Sequence, residues 1–423
     1  MSWIASTEKD RWTECDNYSD TKGEELIIGT ERGKPLFGFG TCMSELGCKV
    51  INELPKEKRN AVYDDLFGEG FGFDYCRLSV GANDFALGWY SYNETEGDYG
   101  MEHFSIDRDR KYIIPAVKEA MERSPGLRFF ASPWSPPTWM KFPPVYNYGS
   151  MIMTDQNLSA YALYFKKYIE AYRAEGINIA QLHPQNEIHA DQKFPSCVWS
   201  GEDFARFISD YLIPKLGDTV DIWYGTVNGP SDGPHLGVRH NKFLNLAMQN
   251  EVIKNNIKGV SYQWGGKIGL LNCEEDYPQL DTINSEWECG EGENTWDYAM
   301  YGFEMWRHYF AHSSRACVYW NIALDKRQES TWGWGQNSLM TIDGDNVTYN
   351  PDYYMVKHFA NKVKQGAVML KTEGGMSSNT CVFRNPDGSR VAVIMNPFEF
   401  EKNVTIENKN YILKPKSFNT IVL

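Results

Sequence analysis

Two glutamates stand where a carboxylate is able to do chemistry. Glu187 closes the run Leu182-His183-Pro184-Gln185-Asn186-Glu187, and Glu286 closes Thr282-Ile283-Asn284-Ser285-Glu286. Each run reads as the end of a short strand, so each carboxylate would be held on rigid backbone rather than on a mobile loop. The two lie 99 residues apart, close to the roughly 94 expected for three units of an eight-unit barrel of about 250 residues. Strands four and seven of such a barrel face one another across its mouth. Two carboxyls converging there at about 5 to 5.5 Å suit double displacement at an anomeric carbon with retention, one protonating the leaving oxygen and one attacking. Spacing does not say which does which. Glu288 is a rival attacking group, because a strand two residues longer would present it on the same face.

Other chemistries find less support. No G-x-S-x-G follows a strand, which argues against a serine hydrolase. His183 and His189 flank Glu187 without metal-ligand spacing and read as structural. The acidic stretch Glu288-Cys289-Gly290-Glu291-Gly292-Glu293 could hold a cation, but alternating glycine and charge reads better as a solvated loop. None of these groups reads as a metal site.

The elements that must position the pair follow from periodicity. Between about residues 36 and 362, short apolar runs alternate with amphipathic stretches, the signature of βα units around a parallel sheet. The candidate strands are Leu36–Gly40, Tyr75–Val80, Leu127–Ser132, Ile177–His183, Val220–Gly225, Gly259–Trp264, Asp281–Glu286 and Ala316–Asn321. The helix predicted over Ser159–Glu175 shows the apolar spacing clearly. Eight strands fit a closed barrel, and no G-x-G-x-x-G follows any of them to argue for a nucleotide fold. Past residue 365 the pattern turns to period two: Thr380–Arg384, a turn at Asn385-Pro386-Asp387-Gly388, then Val391–Met395, Lys402–Glu407 and Ile412–Leu423. The fold class is therefore α/β, a (β/α)8 TIM barrel over 36–362 with a side antiparallel β-sandwich over 363–423 that residues 1–35 join.

Composition narrows the partners. The 42 basic and 56 acidic residues leave a formal charge of −14, which repels phosphate backbones and anionic lipid, so no nucleic acid partner is expected. No run approaches the roughly 18 apolar residues of a membrane span, and the N-terminus lacks a basic start followed by an apolar run; a cytoplasmic enzyme is the expectation. Nine scattered cysteines without a C-x-x-C pair read as reduced, mostly buried thiols. The 14 Trp and 25 Tyr supply ring faces suited to sugars.

Several segments together resemble glycoside hydrolase family 30, which contains glucosylceramidases, β-glucosidases, β-xylosidases and β-1,6-glucanases. The clearest is Ala131-Ser-Pro-Trp-Ser-Pro-Pro-Thr-Trp-Met-Lys141. Arg77-Leu-Ser-Val-Gly-Ala-Asn-Asp-Phe85, Gln185-Asn-Glu187, Trp320-Asn321, Trp332-Gly-Trp-Gly-Gln-Asn337 and Tyr353-Tyr-Met-Val-Lys-His-Phe359 follow in the family's order over nearly the whole chain. The resemblance implies a barrel with a side β-domain built from both chain ends, and a retaining mechanism without cofactor. It makes Glu187 the acid/base and Glu286 the nucleophile, with Asn186 on the sugar 2-hydroxyl. It also implies that Asp84 grips outer hydroxyls, that Trp134 and Trp320 line the same subsite, and that Arg77 sits beneath the nucleophile and keeps it ionised. After strand six the chain departs from the family, and either Tyr262 or Trp264 fills the place beside the nucleophile. The expected substrate is a small or oligosaccharide β-glucoside attacked at its end. An endo-β-1,6-glucanase, a β-xylosidase or a β-fucosidase are the alternatives, and an inactive sugar-binding protein is a reading of another class.

Overall fold

The first barrel strand depends on a close approach that only glycine permits. A Cβ on Gly40 would lie 1.8 Å from the carbonyl oxygen of Tyr75 on the neighbouring strand. In the computed structural model, which describes residues 2–228, 242–287 and 290–423, eight parallel strands close in chain order. They are Gly38–Cys42, Tyr75–Val80, Arg128–Pro133, Ile179–Leu182, Asp221–Val227, Gly259–Gln263, Asp281–Glu286 and Ser314–Asn321. All eight predicted strands are present, two with both ends as predicted and the others with ends shifted by at most two residues. The helix expected over Ser159–Glu175 spans Asp155–Ala174, because the Thr154 side chain accepts from the Asn157 N–H and starts it earlier.

Period-two alternation turns every second side chain into the barrel. Phe37, Tyr75, Phe130, Trp223, Ile283, Ala316 and Val318 pack together as an apolar plug. Two residues further along the second strand comes Arg77, so a polar layer lies directly above the plug. In the seventh strand, Ile283 belongs to the plug and Glu286 is three residues on, the wrong parity for the same face. A bulge resolves this: Tyr262 pairs with Asn284 but the next residue, Gln263, pairs with Glu286, leaving Ser285 extra. Bulges re-aim side chains in this way.

The side domain is a nine-stranded sheet. Its core includes Trp3, Leu26, Ile394, Val404, Tyr411 and Ile421, and a bridge from Tyr18 to Tyr411 brings its two ends together. Residues from both chain ends contribute, with Trp3–Ser6 pairing to Ser417–Val422. Three details differ from the sequence reading. Val368–Gly374 is a strand that was not expected. The run Ile412–Leu423 is two strands, Lys409–Leu413 and Ser417–Val422, broken where Lys416 takes φ 42°. One pairing, Lys402–Ile406 with Glu24–Arg32, is parallel, so the sheet is not purely antiparallel. No helix among the described residues is long and apolar enough to cross a membrane.

Barrel and sheet meet at His358, on the helix Pro351–Ala360. Thr420 Oγ1 donates to the His358 carbonyl at 2.7 Å, so it accepts from Nδ1–H at 2.8 Å, and Nε2 is left to accept from Ser6 Oγ at 2.9 Å. The neutral ring fits both partners and the charged ring does not. Burial pushes the His358 pKa down to about 3. The unfolded chain takes up this proton near the ordinary value of about 6.5, so stability is lost as pH falls below that value toward about 3. From this group alone, acidification from pH 7 to pH 5 should cost about 2 kcal/mol. Denaturant unfolding at both pH values should show a smaller acid loss for His358→Gln than for the unsubstituted protein.

Candidate active site

Glu187 lies just past the fourth strand, and the backbone there is pinned on both sides. Asn186 N–H donates to Pro133 O at 2.7 Å, Glu187 N–H to Thr226 O at 3.0 Å, and Thr226 N–H to Gln185 O at 2.6 Å. These bonds hold Glu187 at φ 50°, a left-handed conformation that costs a side chain of this kind on the order of 1 kcal/mol or more and persists only where its surroundings impose it. Its carboxyl is buried, and Asn228 Nδ2 donates to Oε1 at 2.9 Å. Burial, the largest influence, pushes the Glu187 pKa up, with the Asn228 bond and the Arg77 charge opposing it.

Glu286 has a different partner. Arg77 Nη1 meets its Oε2 at 2.5 Å, and the guanidinium is fully buried. The remaining donors of Arg77 are also used: Nε and Nη2 reach Ser132 Oγ at 3.0 and 2.8 Å, and Nη2 reaches Asn186 Oδ1 at 2.6 Å. The Arg77 carbon Cζ stands 4.4 Å from the ring centre of Trp134 and 5.5 Å from that of Trp320. Burial raises the Glu286 pKa, Arg77 lowers it, and the nearby Glu187 raises it again. A cation bonded to one carboxylate and a neutral amide bonded to the other bias the pair toward ionised Glu286 and protonated Glu187.

Asn186 is locked by its oxygen. Oδ1 accepts from Arg77, from Thr226 Oγ1 at 2.9 Å and from Gln263 Nε2 at 2.7 Å. The side-chain N–H groups are thereby directed away from this cluster, free to donate. Asp84 is 4% exposed, and its Oδ1 has no hydrogen-bond partner in the protein. Burial raises its pKa well above the usual range, and Glu286 and Glu187 add to the effect. Three carboxyls thus share one buried charge environment.

Asp84, Trp134, Glu187 and Glu286 line one cleft of about 450 Å³, within the usual range for a small ligand. Arg77 and Asn186 lie beneath it, and Trp320 packs against Trp134 with ring centres 5.4 Å apart. Of the two strand-six aromatics, Trp264 lines the cleft and Tyr262 is buried. Glu291 and Glu293 also face the cleft, while Glu288, the rival to Glu286, lies outside the described residues. His183 is in the barrel interior with Nδ1 2.7 Å from Ser261 Oγ.

Sequence reading missed Thr226, Asn228 and Gln263. Thr226 and Gln263 are polar residues within one position of the end of a predicted strand, a signal that strand-end position alone could have supplied, whereas Asn228 lies three residues beyond one. It also gave Lys141 no part. Its buried ammonium contacts Ser135 Oγ at 3.1 Å, Tyr146 O at 2.9 Å and Ser196 O at 2.5 Å, stapling the loop after strand three to the loop after strand four.

The family model for the glycosyl hydrolase family 30 TIM-barrel domain matches residues 36–222, and that for the family's beta sandwich domain matches residues 366–421. The chain belongs to glycosyl hydrolase family 30. It is similar to putative glucosylceramidase 2 of Caenorhabditis elegans, 24% identical over 420 residues that cover 91% of this chain and 80% of the relative. It is also similar to the endo-1,6-β-D-glucanase of Neurospora crassa, 25% identical over 411 residues, 90% of this chain and 82% of that one. A solved endo-β1,6-glucanase superposes with a TM-score of 0.86 at 23% identity, over 99% of this chain and 98% of that one. As a family 30 glycosidase, the protein acts on glycosides.

The Asn186 lock is directly testable. Gln263→Leu removes one of three donors to Oδ1, and the loss of such a supporting bond should lower kcat/KM for glycoside hydrolysis by about 10- to 100-fold, with far-ultraviolet circular dichroism unchanged.

Proposed function

We propose that this family 30 enzyme is a retaining β-glucosidase that removes a terminal glucosyl residue, with Glu286 as nucleophile and Glu187 as acid/base. The observation that carries the assignment is the unequal pairing of the two glutamates, Arg77 on Glu286 at 2.5 Å and only the Asn228 amide on Glu187. The ionised carboxylate attacks the anomeric carbon while the protonated one gives its proton to the departing oxygen. Glu187, now a base, takes a proton from water, and the water oxygen attacks the same carbon and displaces Glu286. Two inversions give net retention. The Asn186 N–H groups are positioned to bond the 2-hydroxyl, an interaction that strengthens as charge develops on the ring.

The preference for a terminal glucoside rests on Asp84. An unpartnered carboxyl oxygen in the cleft is a strong acceptor for sugar hydroxyls, and only a terminal residue offers it every outer hydroxyl, the 6-hydroxyl that a 1,6-linked residue lacks included. An endo-β-1,6-glucanase is the second reading. It draws support from the similarity to the Neurospora glucanase and from Trp264, whose ring at the cleft suits a further sugar.

Nitrophenyl β-glucoside should be cleaved faster than the xyloside, fucoside and galactoside, and proton NMR should show β-glucose as the first product. α-Glucose would overturn the mechanism. Glu286→Gln should abolish turnover. Glu187→Ala should lose about 10²- to 10⁴-fold on poor leaving groups, with azide restoring turnover of activated substrates as a β-glycosyl azide.

The pH profile of kcat/KM should be bell-shaped. Its acid limb reports protonation of Glu286, and its alkaline limb reports loss of the Glu187 proton. Because the Arg77 charge lowers the Glu286 pKa, Arg77→Met should move the acid limb to higher pH.

A further inference from the structure

Above Asp84 the chain crosses the barrel mouth. The turn after strand eight, closed by a bridge from Glu329 to Gly335, leans back over the second strand. Trp332 Nε1 donates to Asp84 O at 3.1 Å, and Thr331 Oγ1 donates to Ala86 O at 2.8 Å. From the opposite side, the loop after strand four brings in Phe194. Its ring stacks on Trp332 with centres 5.7 Å apart and on Trp334 with centres 5.6 Å apart, at interplanar angles of 30° and 27°. Lys193 Nζ stands 4.8 Å from the Trp332 ring centre. Strands four and eight are diametrically opposed in an eight-stranded barrel, so contact between their loops must span the opening. The bonds from Thr331 and Trp332 put that span on the strand-two side, where Asp84 is. Phe194 and Trp334 line the same cleft as the catalytic pair.

We infer that Phe194, Trp332 and Trp334 form a wall behind the sugar held by Asp84, excluding any residue attached to that sugar's non-reducing side. The inference rests on the terminal-glucoside reading and names the groups that enforce it. These rings suit a wall better than a stacking platform because their faces are turned to one another: Phe194 covers a face of Trp332 and of Trp334. Trp332, bonded to the backbone after strand two, backs the rings of Phe194 and Trp334 that line the cleft, and a second glucosyl unit would have to displace them.

Nitrophenyl β-gentiobioside tests this, because its reducing glucosyl unit can occupy the Asp84 subsite only if the second glucose passes the wall. The full-length protein should release glucose before any nitrophenol, and single-turnover analysis should show no free gentiobiose. Gentiobiose appearing with nitrophenol in the first turnover would overturn the inference and the terminal preference, while cleavage of nitrophenyl β-glucoside would leave the β-glucoside chemistry of the glutamate pair intact. Inactivity on nitrophenyl β-glucoside would overturn both. The double variant Phe194→Ala/Trp334→Ala should raise direct gentiobioside cleavage at least tenfold relative to its own rate on nitrophenyl β-glucoside. A fall in that ratio would mark the rings as a platform for the second sugar, and an unchanged ratio would place the block elsewhere; either overturns the assignment. The product order of the unsubstituted protein tests the exclusion itself even if the variant does not fold.

Discussion

The ion pair between Arg77 and Glu286 is the contact on which the rest of the site depends. Its guanidinium is wholly buried, and a buried cation is tolerated only when its charge is matched and its donors are used. Here one donor is spent on the carboxylate, others on Ser132 and Asn186, and the flat faces lie against Trp134 and Trp320. Removing one member of such a pair typically costs about 3 to 5 kcal/mol, because the other is left charged and unmatched. The barrel supplies this environment cheaply, since strands two, three, four and seven each deliver one partner to the same point.

That arrangement also explains why two glutamates in one cleft differ. Both are buried, so water stabilises neither charge, and small differences in partners decide where a proton rests. A cation on one side is a large difference. Glu187 is held at a strained backbone angle by bonds to the third and fifth strands, so its environment is imposed rather than chosen locally.

Much of this was legible in the sequence, for identifiable reasons. All eight barrel strands were readable because they are short apolar runs between amphipathic helices, and Glu187 and Glu286 could be picked out because one follows strand four and the other ends strand seven. The facing of Glu286 was not readable: Ile283 and Glu286 have opposite parity, and the Ser285 bulge that reconciles them has no signature in the local sequence. Trp134 and Trp320 looked equivalent as tryptophans at strand ends, and the structure packs the two rings together with centres 5.4 Å apart, both equally buried. Val368–Gly374 escaped notice because its second half, Lys371-Thr372-Glu373-Gly374, is polar and lies more exposed than the first; its pairing with the distant strand Glu24–Arg32 is long-range information.

The same contrast separates the reaction from its selectivity. The residues beneath the cleft are fixed by barrel ladders and by a buried charge network, in which any single change disturbs several partners at once. The rim is held by ring contacts and a few side-chain bonds between loops. Each is worth only about 0.5 to 1.5 kcal/mol beyond the area it buries, so altering one leaves the barrel's own bonding in place. A cleft built in two such layers keeps one chemistry at its floor while its mouth is free to change which end of a glycoside enters.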